Sequence, residues 1–117
     1  YTGQVRGGKS DGFGRANWAT GTIYDGQWKE GKHQGQGNMK WSGGRSYDGQ
    51  WNQGKQHGIG EMKWGSGNSY AGQWKENKRG GNGVFRWSSG DSEEGRWVED
   101  KKHGRCIFIQ ANGNRYE

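Results

Sequence analysis

The sequence contains no proline and no leucine, has one cysteine, and is only 26% hydrophobic over its 117 residues. Without leucine, a helical bundle or a leucine-lined solenoid has no material for its core. The lone cysteine, Cys106, excludes an internal disulfide and fits a reducing compartment, read here as the cytoplasm, with association to membranes or cytoskeleton left open. No apolar run is long enough to span a bilayer, and no signal-peptide pattern is present. The chain opens at Tyr1 without a methionine and ends at Tyr116-Glu117, the first two residues of a further unit. That reads as a segment of a longer protein.

So little apolar material, with 26 glycines and a net charge of +6, is the composition of a disordered basic chain. Order returns once the chain is cut every 23 residues, into 1–23, 24–46, 47–69, 70–92 and 93–115. All eight tryptophans then fall in two columns: Trp28, Trp51, Trp74 and Trp97 at the fifth position, and Trp18, Trp41, Trp64 and Trp87 at the eighteenth. All five tyrosines stand at the first. Glycine recurs at the third, eighth, twelfth, fourteenth and twenty-first positions. Such a period marks a repeat architecture in which each unit is completed by its neighbours.

Within a unit, positions 1 to 7 and 12 to 18 alternate with period two, as strands with two unlike faces do. Helix is disfavoured because each interior glycine would cost about 1 kcal/mol relative to alanine. The expected fold is all-β: an elongated single-layer antiparallel β-meander, about eleven strands forming a twisted ribbon about 50 Å long. Parity places the two tryptophan columns and the tyrosines on one face. The simplest register sets position 5 opposite 14 and position 1 opposite 18, with loops at positions 8 to 11 and 20 to 22. Under it Trp51 lies between Gly37 and Gly60, and Tyr47 between Trp41 and Trp64. The other face, with the column Gln4, Gln27, Gln50 and Gln73, reads as solvated.

The run Tyr47-Asp48-Gly49-Gln50-Trp51-Asn52-Gln53-Gly54-Lys55-Gln56-His57-Gly58-Ile59-Gly60 resembles the MORN (membrane occupation and recognition nexus) repeat, and the resemblance extends over the whole chain. Val5 and Asn77 depart from the pattern, and the last unit departs most, with Glu93, Cys106 and Gln110 where tyrosine, glycine and tryptophan are expected. MORN repeats are elongated antiparallel meanders. They are found in junction proteins of internal membranes, plant phosphoinositide kinases, radial-spoke heads and protist cytoskeletal scaffolds. The resemblance implies protein recognition, often with self-association, and contact with phosphoinositide membranes. It also admits that the chain is the accessory region of a larger enzyme such as a lipid kinase.

Two surfaces are candidates for binding. The first is the aromatic face, with Tyr24, Trp28, Trp41, Tyr47, Trp51, Trp64, Tyr70, Trp74 and Trp87, where an amphipathic helix, an extended peptide or a second copy finds the kind of rings that dominate interface hot spots. The alternative is that the rings only pack on one another and on the glycine backbone, which the tight glycine flanks favour for the fifth position. The second is an edge carrying Lys9, Lys32, Lys55, Lys78, Arg79, Lys101 and Lys102, with Asp11 and Asp100 opposing them in the same loops. It suits an anionic phospholipid surface. A third, smaller feature is Ile107 with Ile109, apolar on the face that is polar elsewhere, read as a self-association patch. Nucleic acid is disfavoured, because charge lies on an edge and rings on a face. The reading is non-catalytic, with no cofactor and no metal. His33, His57 and His103 lie in separate turns, no carboxylate pair has an apolar pocket, and Cys106 has no base partner.

Overall fold

The structure is a computed structural model that describes residues 1–116, the Arg105 side chain excepted. Eleven strands follow one another in chain order through a single antiparallel sheet: β1 (Thr2–Arg6), β2 (Lys9–Asn17), β3 (Ile23–Lys29), β4 (Lys32–Lys40), β5 (Ser46–Asn52), β6 (Lys55–Lys63), β7 (Ser69–Lys75), β8 (Lys78–Arg86), β9 (Ser92–Val98), β10 (Lys101–Ile109) and β11 (Arg115–Tyr116). The ribbon measures 54 × 25 × 18 Å, close to the length expected from stacking strands at their usual spacing. Of the pair Tyr116-Glu117, Tyr116 pairs with Phe108 on β10, and Glu117 lies outside the described residues.

The faces are as expected, but the register is not. Tyr24 stands opposite Met39 and Gly26 opposite Gly37, after which the ladder jumps to put Trp28 opposite His33. Across units, Trp51 pairs with Gly35 and Tyr47 with Met39. The ladder is therefore shifted by two residues from the expected one, and by four beyond the bulge within each hairpin. Tyr47 is flanked by Met39 and Met62, not by Trp41 and Trp64. Trp51 lies between Gly35 and Gln56, not between Gly37 and Gly60. An even shift leaves every side chain on its original face, which is why the face assignment survives.

The cause is turn chemistry. Instead of a four-residue loop, the hairpin closes on two residues with positive φ, Glu30 at 50° and Gly31 at 82°, a type I′ turn whose twist matches that of the strands. Asn77 and Asp100 fill the second place of this turn at 70° and 69°, being among the few non-glycine residues that visit this region. The second connection is a three-residue loop one position earlier than expected, closed by the Trp41 N–H donating to the Arg45 carbonyl at 2.9 Å. The tight first turn leaves surplus residues on β4, absorbed by a bulge at Gly35 (φ 86°). There the Gln36 N–H donates to Gln27 Oε1 at 2.7 Å. Phe13 with Gln4, Ile59 with Gln50 and Asn82 with Gln73 repeat the bond. The glutamine column read as merely solvated is thus a clamp that satisfies the amide freed by the bulge in each of the first four units.

Candidate functional site

The inner face is built from rings lying on bare backbone. Tyr24 Oη donates to the Gln27 carbonyl at 2.8 Å, and its ring crosses Gly37, where any Cβ would run into the hydroxyl. Trp51 Nε1 donates to the Gly37 carbonyl at 3.1 Å. Tyr47 with Gln50 and Trp74 with Gly60 repeat the two bonds in the next unit. The rings also meet edge to face in an unbroken zigzag: Tyr24 to Trp51 (5.6 Å), Trp51 to Tyr47 (5.2 Å), Tyr47 to Trp74 (5.5 Å), Trp74 to Tyr70 (5.2 Å) and Tyr70 to Trp97 (5.0 Å). Each such pair contributes about 0.5–1.5 kcal/mol beyond the area it buries.

This corrects the expected docking face. Tyr24, Tyr47 and Tyr70 are 0% exposed, and Trp28, Trp51 and Trp74 no more than 8%. Six of the nine rings assigned to a partner are the protein's own core. Glycines on the adjoining strands let the rings lie flat and seal against one another, so a single layer covers them without a second sheet. Burial raises the hydroxyl pKa of Tyr24 and Tyr47 well above the phenol range, and that of Tyr70 to about 12. Those phenols stay neutral donors to backbone. Trp41, Trp64 and Trp87 remain half-buried along one side of the ladder.

The half-buried tryptophans wall a groove. One stretch, of about 480 Å³, is bounded by Trp41, Trp64 and Arg45 on one side and Gln56 and Arg79 on the other, over a floor that includes Met62. The next, of about 500 Å³, runs between Trp87 and Phe85 on one side and Lys101 and Lys102 on the other. The two stretches share Arg79 and Asp100. The floor methionines, Met39 and Met62, are 6% exposed and were missed, although their even position within the unit places them on the aromatic face.

Position 10 of each unit, whose His33, Arg79 and Lys102 the sequence assigned to turns and rim, sits on the inner face beside the first-position residue. His33 stacks on Tyr24 at 3.9 Å, with Trp28 and Trp51 edge-on to it at 4.6 and 5.1 Å. Burial lowers its pKa to about 4. Arg79 holds the same position in the fourth unit, 5.6 Å from Tyr70 and 6.0 Å from Trp97, and its Nε donates to Asp100 Oδ1 at 3.2 Å. Arg79 therefore belongs to the groove and not to the rim where the sequence placed it. Lys102 is likewise no free rim charge, since its ammonium lies 3.0 Å from the buried Glu93 carboxylate.

The remaining rim lysines, Lys9, Lys32, Lys55, Lys78 and Lys101, are exposed and open β2, β4, β6, β8 and β10 just after the tight turns, instead of sitting within loops. Three face another cation across the hairpin: Arg6 with Lys9, Lys29 with Lys32 and Lys75 with Lys78. On the other face, Val84 and Ile107 line a broad hollow of about 880 Å³ with Glu94, Arg96 and His103. Ile107 and Ile109 are half-buried. Burial and the neighbouring Glu93 carboxylate push the Cys106 thiol up, which disfavours the thiolate. Among the described residues, no group of three or more histidine, cysteine or acidic side chains is placed to hold a metal ion, and no helix is long and apolar enough to cross a membrane.

An open sheet of hairpins, each completed by the next and traversed by one aromatic ladder, defines a β-hairpin solenoid. The MORN repeat model matches residues 1–23, 24–44, 47–69, 70–92 and 94–115, and the chain belongs to the MORN-repeat family. MORN repeats are, in general, interaction and membrane-association modules. No curated protein matches the chain.

Proposed function

We propose that the chain is a non-catalytic module that binds a protein segment in the groove walled by Trp41, Trp64 and Trp87. One observation carries the reading: across the inner units, residues 24–92, Trp41, Trp64 and Trp87 are half-open while the tyrosines and the fifth-position tryptophans are buried. Among the described residues, these three indoles find no counterpart to the backbone hydrogen bonds that anchor Trp28, Trp51 and Trp74. Half-buried tryptophans over a rigid floor are what interface anchors require. Peptides selected against the wild-type chain test it. Their binding is lost on Trp64→Ala while the circular dichroism and melting of the variant persist. Selected peptides indifferent to both Trp64→Ala and Trp87→Ala sink the proposal.

A second reading, an anionic lipid surface, draws support from the three like-charge pairs along the turn rim. Cations directly opposite in a hairpin destabilise it, and a polyanion relieves that repulsion. Each lysine near such a surface contributes about 1 kcal/mol. Co-sedimentation with phosphatidylserine vesicles that disappears on Lys9→Glu, Lys32→Glu, Lys55→Glu and Lys78→Glu together supports this reading. Co-sedimentation unchanged by those substitutions, or none at all, removes it.

A further inference from the structure

Resting on the groove reading above, we infer that the occupant is an acidic segment in polyproline II conformation, with one apolar side chain in every three lodged against the Trp41, Trp64 and Trp87 wall. Two independent features lead there, charge and spacing.

The charge of the groove is one-sided. Arg45, Arg79, Lys101 and Lys102 line it against two carboxylates, Asp100 and Glu93. Both carboxylates are already held, Asp100 by Arg79 at 3.2 Å and Glu93 by Lys102 at 3.0 Å. His33 adds nothing near neutrality, its pKa having fallen to about 4. Arg45 and Lys101 are left without a carboxylate among the described residues. Arg45 lies over Trp41, its Cζ 4.2 Å from the ring centroid, so a cation already stands on the wall where an apolar side chain would rest. Carboxylates interspersed with apolar residues complement that surface, and a basic segment meets repulsion from it.

Spacing selects the conformation. Equivalent tryptophans are two strands apart, which is about 9.6 Å along the ribbon. An extended strand returns a side chain to the same face every 6.6–6.8 Å or so and cannot keep step. A helix returns one every seven residues, about 10.5 Å, and from Trp41 to Trp87 drifts by roughly 1.8 Å. Polyproline II repeats every third residue at about 9.3 Å and drifts by roughly 0.6 Å over the same distance. Aromatic-walled grooves are also the surfaces on which preformed polyproline II segments dock with little ordering cost.

The test uses three labelled peptides titrated onto the whole chain by fluorescence anisotropy: five Leu-Pro-Glu triplets, five Leu-Pro-Lys triplets, and a heptad-patterned helical peptide with the leucine and glutamate content of the first. Expected is binding of the Leu-Pro-Glu peptide at least tenfold tighter than either of the others. Arg45→Glu with Lys101→Glu should reverse the preference between the glutamate and lysine peptides, and added salt should weaken both effects. Equal or tighter binding of the lysine peptide overturns the charge assignment, and tighter binding of the helical peptide overturns the conformation. If either happens while Trp64→Ala still abolishes binding, the groove reading stands and only this inference falls. Binding indifferent to Trp64→Ala in a folded variant brings both down. If none of the three binds, this inference is wrong, and the groove reading is then judged by the selected peptides.

Discussion

The inner units, residues 24–92, and the last unit, 93–115, share a backbone plan but solve the same packing problem with different chemistry. In the inner units a tyrosine lies across the glycine on the facing strand, and that glycine cannot gain a side chain because the hydroxyl occupies the space. In the last unit Glu93 stands where the tyrosine would be, and Cys106 where the glycine would be. Glu93 is buried and turns its carboxylate to Lys102, the position at which His33 stacks on Tyr24. Two departures that look unrelated in sequence, Glu93 and Cys106, are one exchange: an aromatic stack over bare backbone for an ion pair with Lys102 beside a thiol. The zigzag of rings stops at Trp97 as a result. The glycine columns are therefore conditional on the ring above them.

The sharpest way to break the comparison is to remove a ring from the intact part. Tyr47→Ala empties a site with 0% exposure between Trp51 and Trp74. By analogy with buried large aromatics it should cost about 3–5 kcal/mol in chemical denaturation. Next comes the conditional glycine. Gly60→Ala drives a methyl into Tyr47 and should cost about 1–3 kcal/mol, whereas Cys106→Ala in the last unit should stay under about 1 kcal/mol. A double-mutant cycle sharpens this. Glu93→Tyr alone should destabilise, and adding Cys106→Gly should recover the loss, with a coupling of about 0.5–3 kcal/mol. Additive effects would show that the two departures are independent.

Much of this was legible in the columns. The period, the strands, the shared face of Trp28 and Trp41, and the oddity of the last unit all follow from spacing and parity. What escaped has a common physical origin. Parity fixes a face but is blind to a slip of two residues, and the slip depends on a turn that places Glu30 at positive φ, a conformation its residue type does not advertise. Burial was legible in part: the glycine flanks favoured packing on bare backbone for the fifth-position tryptophans, but nothing separated the sealed tyrosines from the half-open tryptophans. The groove then shrank from nine rings to three. Arg79 and Lys102 left the rim because each found a carboxylate that register alone brings near.

Smaller effects probe the bulge clamp and the stacked imidazole. Gln50→Ala removes the acceptor of the Ile59 amide and should cost about 0.5–1.5 kcal/mol. Arg96→Ala, at the same place in the last unit, should cost much less. His33, with its pKa lowered by burial to about 4, is held neutral in the folded chain while the unfolded chain takes up a proton near 6.5. Its contribution is complete above that value and declines as pH falls from 6.5 toward 4. His33→Gln, which copies Gln56 of the next unit, should flatten this part of the stability–pH curve.

The division between buried and half-open tryptophans is tested most directly by indole N–H exchange measured by NMR. Trp28, Trp51 and Trp74 donate to the carbonyls of Gly14, Gly37 and Gly60 at 3.0–3.1 Å, and their indole protons should exchange only with global unfolding. Those of Trp41, Trp64 and Trp87 should exchange orders of magnitude faster. Equal protection of the two sets, or faster exchange at Trp51 than at Trp64, would contradict the account.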